Sequence, residues 1–165
     1  MGDLTETVFL IDDDPRVLKS IARLLHTEGW LTRSFTSAEE FLAQHDRAVP
    51  GCLLLDLMMP GMTGIALQQE LRRLGQSRPA IFLSGRAERS TCVSAMRSGA
   101  VDFLTKPVEA AKLIGTVRRA LARDAELRAQ ASELHRLSER VASLTLRERQ
   151  VLDGVVSGML NKQIA

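Results

Sequence analysis

The chain has 165 residues, of which 45% are hydrophobic, 4% aromatic and 25% charged. This length allows one complete domain and part of a second, and the apolar content is that of a globular chain rather than a disordered one. The charge is divided unevenly: residues 1–108 (12 basic, 13 acidic) carry a net −1, and residues 109–165 (10 basic, 7 acidic) a net +3. The second part is therefore the better candidate for contact with nucleic acid.

The cysteines and the hydropathy pattern indicate the cellular compartment of the protein. Cys52 and Cys92 fall in segments that are predicted to face the core, and their spacing matches no metal-binding pattern. We therefore expect two buried free thiols, as in a reducing environment. No apolar run has the length of a membrane span, and no signal peptide is recognisable. The sequence thus predicts a cytoplasmic protein without a membrane partner.

The first two-thirds of the chain alternates short apolar runs with amphipathic stretches. Thr7–Ile11 is a continuous apolar run and predicts a buried strand. Asp14 before Pro15 predicts a helix N-terminus, with a capping residue ahead of proline at the first helical position, and Gly29 ends that helix. Further strands are predicted at 30–35, 52–56, 80–84 and 101–104, and further helices from a capping box at 37–40, after Gly64, and up to Gly99.

A helical pattern with few breakers runs from Glu109 to about Ser143. Apolar residues recur there every seven positions, at Leu113, Ala120, Leu127, Leu134 and Val141. Leu137 and Leu144 form part of a second seam, which Arg123 and Gln130 interrupt. The pattern predicts a long helix. Two arrangements stay open for it: a dimeric coiled coil, and a solvated linker helix lying on its own domain.

The last segment begins with another capping box, Thr145–Glu148, followed by an apolar helix face (Val151, Leu152, Val155 and Val156) that Gly158 ends. Asn161–Ala165 predicts the start of a further helix. A helix, a turn and the first residues of a second helix correspond to the front of a helix-turn-helix, without the helix that would enter the major groove. We therefore expect specific DNA binding from a longer protein, not from these residues alone.

The order of elements predicts the sheet. Five strands alternating with five helices, joined by short loops, imply parallel crossovers and a five-stranded doubly wound α/β sheet. Ligands of such sheets bind beyond the carboxyl ends of the strands. The polar residues that follow or close the strands are Asp12, Asp13, Asp14, Asp56, Ser84 and Lys106. Asp14 is interpreted as a helix cap, and the others converge on one edge.

Three crowded carboxylates restrict the chemistry of this edge. Two like charges ~4 Å apart repel by about 4 kcal/mol at an effective dielectric constant of roughly 20. Asp12, Asp13 and Asp56 therefore need either a retained proton or a divalent cation. Oxygen ligands in an incomplete cage suit Mg²⁺, with Mn²⁺ as an alternative. Asp56, at the end of a rigid strand, could then attack phosphorus, with Lys106 stabilising the phosphoryl charge and Ser84 hydrogen-bonding it.

Four motifs together give a specific resemblance, in this order along the chain: FLIDDDP at 9–15, LDLMMPGMTG at 55–64, LSG at 83–85 and GAVDFLTKP at 99–107. The sequence resembles a response regulator of two-component signalling, with a CheY-like, flavodoxin-like (βα)5 receiver. The segments LTLRERQVL (144–152) and NKQIA (161–165) are similar to the start of a LuxR-type helix-turn-helix, as in the NarL/FixJ subfamily. The resemblance implies a receiver at 1–122, a helical linker at 123–143 and a fragment of a DNA-binding domain at 144–165.

The resemblance also implies a role for each matching residue. Asp56 would accept a phosphoryl group from the phosphohistidine of a sensor histidine kinase. Asp13, Asp56 and the main-chain carbonyl of Met58 would ligate Mg²⁺, with Asp12 acting through a water. Lys106 and Ser84 would contact the phosphate. Ser84 and Phe103 would form the switch pair, and the peptide bond from Lys106 to Pro107 would be cis. Phosphorylation would favour a homodimer and so control transcription.

Two other classes of function compete with this interpretation. Mg²⁺-dependent phosphohydrolases also use an aspartyl nucleophile, but theirs lies on the first strand in an Asp-x-Asp pattern followed by a small polar residue. Here Pro15 follows Asp12-Asp13-Asp14, and no cap insertion for a substrate is recognisable. A receiver that works only by docking to other proteins is the third possibility, and the basic linker and Thr145–Ala165 argue against it. We therefore expect a phosphoacceptor without substrate turnover.

Overall fold

The computed structural model of the protein describes residues 5–85 and 89–158. The chain divides into two units after Ala125. The strands are β1 (Thr7–Ile11), β2 (Leu31–Phe35), β3 (Gly51–Asp56), β4 (Ala80–Ser84) and β5 (Asp102–Thr105). The helices are α1 (Pro15–Thr27), α2 (Ala38–Gln44), α3 (Gly64–Arg73), α4 (Arg89–Arg97), α5 (Ala110–Ala142) and α6 (Leu146–Val156). None of the described helices combines the length and the apolar character that a membrane span requires.

The sheet is parallel throughout and has the strand order β2-β1-β3-β4-β5. This confirms the predicted five-stranded doubly wound α/β fold. All residues of β1, β3 and β4 are buried, because helices cover both faces of these central strands. β5 begins one residue later than predicted, since its register with β4 starts at the Ile81–Asp102 pair.

Two apolar clusters lie on opposite faces of the sheet. One joins strand residues such as Val8 and Leu54 to α1 and to the first turns of α5, including Leu113 and Val117. The other joins Phe9 and the remaining alternate strand residues to α2, α3 and α4. Successive strand side chains point to opposite faces, so each of the central strands β1, β3 and β4 contributes to both clusters.

The helix starts follow the predicted capping chemistry with one difference. Asp14 caps α1, as interpreted, and its carboxylate accepts from the Arg16 amide at 2.9 Å. Ser37 caps α2 by accepting from the Glu40 amide at 3.0 Å. The Glu40 carboxylate, however, accepts from the Thr36 amide at 2.7 Å, so the expected reciprocal bond to residue 37 is made one residue earlier.

The two cysteines differ in burial. Cys52 is fully buried in β3, and Cys92 in α4 is only half-buried. The prediction of two buried thiols is therefore correct for the strand residue and wrong for the helix residue. α4 is nine residues long and buries Ala95 against the sheet, which leaves its other positions at or near the surface.

In the second unit, α5 continues to Ala142 and a complete capping box at Thr145 opens α6, as predicted. The apolar seam of α5 changes environment along its length: Leu113 and Ala120 are buried in the receiver core, whereas Leu134 is 70% exposed. The apolar face predicted for α6 is also exposed. The helix predicted at 161–165 lies outside the described residues.

Candidate functional site

Three carboxylates meet where β1 and β3 end. Asp12 follows the last residue of β1, Asp13 comes next, and Asp56 is the last residue of β3. One carboxylate oxygen from each lies within 4.8 Å of the others. Asp12 and Asp56 are buried, with exposures of 2% and 6%, whereas Asp13 is open to solvent. The structure thus brings together the three acids that the sequence placed at this edge.

Lys106 supplies the positive charge of the site. Its ammonium lies 2.5 Å from Asp12 Oδ2 and 3.5 Å from Asp56 Oδ1. The other carboxylate oxygen of Asp12 accepts from the Asp14 amide at 2.9 Å. Lys106 reaches this position because its own amide donates to the Ser84 carbonyl at 2.8 Å, directly beyond β5. The peptide bond from Lys106 to Pro107 is cis.

Burial and charge act in opposite directions on Asp56. Removal from water raises the pKa of its carboxyl, the charge of Lys106 lowers it, and the neighbouring Asp12 raises it again, with a net increase. Burial would lower the pKa of Lys106, but its hydrogen bond to Asp12 and the two carboxylate charges outweigh this and raise it. Lys106 therefore remains charged and favours the ionised form of Asp56 that a nucleophile needs.

The loop between β3 and α3 packs closely over Asp56. Gly64 opens α3 so near the strand that an added Cβ would lie 2.4 Å from the Asp56 carbonyl oxygen. Its amide donates to the Leu57 carbonyl at 3.2 Å. At the other side of the loop, Glu39 Oε1 accepts from the Met62 amide at 3.1 Å. This contact was not predicted, because no local pattern links α2 to a loop 23 residues later.

A cleft of about 580 Å³ opens in front of these groups. It is lined by Asp56, Leu57, Met58, Ser84, Gly85, Thr91 and Lys106. The Met58 side chain is 72% exposed, and its amide hydrogen-bonds the Asp56 carboxylate. Ser84 is buried at the end of β4. Phe103 lies apart from this lining, half-buried against the second apolar cluster. Thr91, at the start of α4, was missed by the sequence analysis, because nothing in its surroundings distinguishes it from other helix residues.

Comparison with known proteins identifies the family. The model of the response regulator receiver domain matches residues 8–118. The chain is 40% identical over 165 residues to the response regulator protein TodT of Pseudomonas putida, covering 100% of the chain and 73% of TodT. The chain belongs to the response regulator family. It is also 41% identical over 161 residues to the transcriptional regulatory protein FixJ of Azorhizobium caulinodans, covering 96% of the chain and 75% of that protein.

Solved structures of response regulators support the same assignment. The response regulator StyR superposes with a TM-score of 0.87 at 37% identity, covering 98% of the chain and 81% of StyR. Full-length FixJ from B. japonicum gives a TM-score of 0.68 at 32% identity, covering 99% of the chain and 80% of that structure. The resemblance inferred from the four motifs is therefore confirmed. The protein carries a receiver domain of two-component systems, and its relatives are transcriptional regulators.

The donor set of this receiver domain fits a hard divalent cation. All three acids offer oxygen ligands, and the two buried ones pair with the Lys106 ammonium. Such a set matches the preference of Mg²⁺ for carboxylates with remaining waters. Asp14 stands outside this set, because its carboxylate caps α1 and pairs with Arg16 at 3.0 Å. Among residues 5–85 and 89–158, Asp12, Asp13 and Asp56 are thus the group that could hold a metal ion.

Proposed function

We propose that the protein accepts a phosphoryl group on Asp56 from the phosphohistidine of a sensor histidine kinase. Receiver domains of response regulators interact with such kinases, and this chain has a receiver domain. The observation that carries the proposal is the position of Asp56. Its carboxylate is held at the end of a buried strand, with Asp12 and Asp13 oxygens within 4.8 Å and the Lys106 ammonium at 3.5 Å.

The transfer needs an ionised carboxylate and a means of dispersing phosphoryl charge. An Asp56 oxygen attacks phosphorus, the phosphorus–nitrogen bond of the phosphohistidine breaks, and its electron pair returns to the imidazole nitrogen of the kinase. Lys106 contributes twice: it favours the ionised Asp56 beforehand and then contacts the oxygens of the transferred group. The buried strand end keeps the nucleophile in place, so little orientational freedom is lost in the reaction.

A divalent cation completes this arrangement. Asp13, Asp56 and the main-chain carbonyl of Met58 would ligate Mg²⁺, and Asp12 would act through a water; Mn²⁺ is an alternative. When bound, the ion neutralises charge on the carboxylates and on the phosphoryl oxygens. Because Asp13 is exposed, it would hold the ion at the solvent-facing side of the site.

Phosphorylation would then change the surface of the receiver. The Ser84 hydroxyl would hydrogen-bond the new phosphate, and Phe103, now half-buried, would turn inward. A homodimer would follow, with α4, β5 and the start of α5 as its surface. We assign the receiver to 1–122, the linker to 123–143 and the beginning of a LuxR-type DNA-binding module to 144–165. In the whole regulator, this module would bind DNA and control transcription from the cytoplasm.

The same features favour a phosphoacceptor over an enzyme with turnover. The nucleophile is on the third strand, and the cleft is bounded by Met58, Ser84 and Thr91 without an inserted cap domain between the described elements. We therefore expect one phosphoryl group per chain, which is lost slowly by hydrolysis, and no steady release of phosphate from unrelated esters.

The test is phosphorylation by acetyl phosphate, with and without Mg²⁺, of wild type, Asp56→Asn and Asp14→Asn. Intact mass and oligomeric state are read on the same samples. One added phosphoryl group is expected on wild type and on Asp14→Asn, only with Mg²⁺, together with a shift to dimer. Asp14 is the matched control because it lies beside the cluster but caps α1. An adduct on Asp56→Asn, or none on wild type, would contradict the assignment.

A further inference from the structure

Another buried carboxylate lies far along the chain from Asp12 and Asp56. Asp124 is 4% exposed and is the last buried residue of α5. Its Oδ2 accepts a hydrogen bond from the Gly51 amide at 2.9 Å, across 73 residues of sequence. Gly51 is the first residue of β3, the strand that ends in Asp56. This bond therefore joins the long helix to the phosphoacceptor strand at the end opposite the site.

The sheet itself offers no partner to the Gly51 amide. Amides of alternate strand residues point to the same side, and Leu53 donates toward the β4 side, to the Pro79 carbonyl at 2.9 Å. β4 starts only at Ala80, which pairs with Leu53, so its described residues do not extend to a position opposite Gly51. A buried amide without an acceptor destabilises the folded state. Asp124 supplies the acceptor that the strand ladder lacks.

Crowding at Gly51 makes this contact specific. The residue has a φ of +148°, and an added Cβ would lie 1.8 Å from the Thr7 carbonyl oxygen. A side chain is thus excluded at this position, and the glycine amide is directed at Asp124. The neighbouring contacts of α5 with the central strands are apolar, through Leu113, Val117, Ala120 and Leu121, and its polar contacts with the sheet at Asp102 lie on β5. Apolar contacts are non-directional, whereas the hydrogen bond to the Gly51 amide fixes the last buried turn of the helix against β3.

We propose that Asp124 is a positioning residue that fixes α5 against β3 by binding the Gly51 amide. The proposal goes beyond the phosphoacceptor function and does not depend on it. Without this acceptor, the turns of α5 around Leu121 would still meet apolar surface but would no longer be fixed against β3. Asp56, at the other end of the strand, would keep its own partners, Lys106 and the Met58 amide.

Amide hydrogen exchange, followed by NMR on the whole chain, tests this directly. In wild type, the Gly51 amide should exchange at least 100-fold more slowly than in an unstructured peptide, although it has no strand partner. In Asp124→Ala it should exchange at least tenfold faster than in wild type, as should the amides of residues 117–125. Asp124→Asn, which retains an acceptor oxygen, should restore most of the protection. Glu133→Ala, which removes an exposed acid from the same helix, should change neither group of amides.

Each outcome decides for or against the proposal. An unprotected Gly51 amide in wild type would overturn it, even if Asp124→Ala does not fold. Equal exchange in wild type and Asp124→Ala would also overturn it, as would failure of Asp124→Asn to recover protection. Acetyl phosphate labelling of the same samples separates the two assignments. A wild type without adduct would refute the phosphoacceptor function alone, whereas altered Gly51 exchange with normal labelling would support the positioning role.

Discussion

The close approach of Gly64 to the phosphoacceptor allows a quantitative prediction for Gly64→Ala. The added Cβ would lie 2.4 Å from the Asp56 carbonyl oxygen, 3.2 Å from its carbonyl carbon and 3.3 Å from Phe82 Cε1. An ordinary contact needs about 3.4 Å or more, so the chain must move by roughly 1 Å. The two nearest atoms belong to the backbone of a buried strand, which cannot move aside as a flexible side chain would. Overpacking of this kind costs about 1–3 kcal/mol of unfolding free energy.

The displacement should also affect the chemistry. It must be taken up either by Asp56 or by the loop that carries Met58, and both belong to the proposed site. A misplacement of about 1 Å at a reacting group can reduce a rate by roughly 100-fold. We therefore expect Gly64→Ala to unfold at lower urea concentration than wild type and to be labelled by acetyl phosphate roughly 100-fold more slowly, as followed by intact mass.

Gly115→Ala is the matched control. Gly115 lies inside α5, and a Cβ there would meet no atom within 4 Å. Replacing a helix-interior glycine by alanine is expected to stabilise the protein by about 0.5–1 kcal/mol, with unchanged labelling. The two substitutions are chemically identical but should change the unfolding free energy in opposite directions. If Gly64→Ala were as stable as wild type and labelled at the same rate, the packing of this loop against Asp56 would have no part in stability or in phosphorylation.

Three further predictions concern the charged site and the thiols. Lys106→Met removes the ammonium that lowers the pKa of Asp56, so adduct formation should slow at pH 7 and partly recover as the pH is raised, measured as a pH profile. Burial raises the pKa of Asp56, so the folded chain keeps this proton to higher pH than the unfolded chain. The free energy of unfolding therefore falls as the pH rises above the ordinary pKa of 3.8. Asp56→Asn should therefore be more stable than wild type at pH 7 by urea unfolding, and a difference that did not shrink as the pH fell below 3.8 would contradict this. Burial likewise raises the pKa of the Cys52 thiol, so a native chain should give one fast-reacting thiol with a disulfide reagent, Cys92, and a denatured chain two.

The strands were predictable because their sequence signals are strong and local. β1 and β4 have the predicted bounds, since each is a continuous apolar run between polar residues or proline. The order β2-β1-β3-β4-β5 was not predicted from the pattern, because apolar runs that are buried on both faces look alike. The half-buried Cys92 is a similar case: a nine-residue helix gives too few turns for its periodicity to fix which positions face the core.

The acidic cluster was predictable for a geometric reason that does not extend to contacts at the other ends of the strands. In a parallel sheet, all carboxyl ends share one edge, so residues that close different strands must meet, whatever their separation in sequence. That rule places Asp56 near Asp12 and Lys106 near both, as the structure shows. It says nothing about the opposite edge, where the partner of the Gly51 amide comes from a helix 73 residues away. The packing of α5 decides that contact, and a heptad pattern of apolar residues, which does not include Asp124, cannot reveal it.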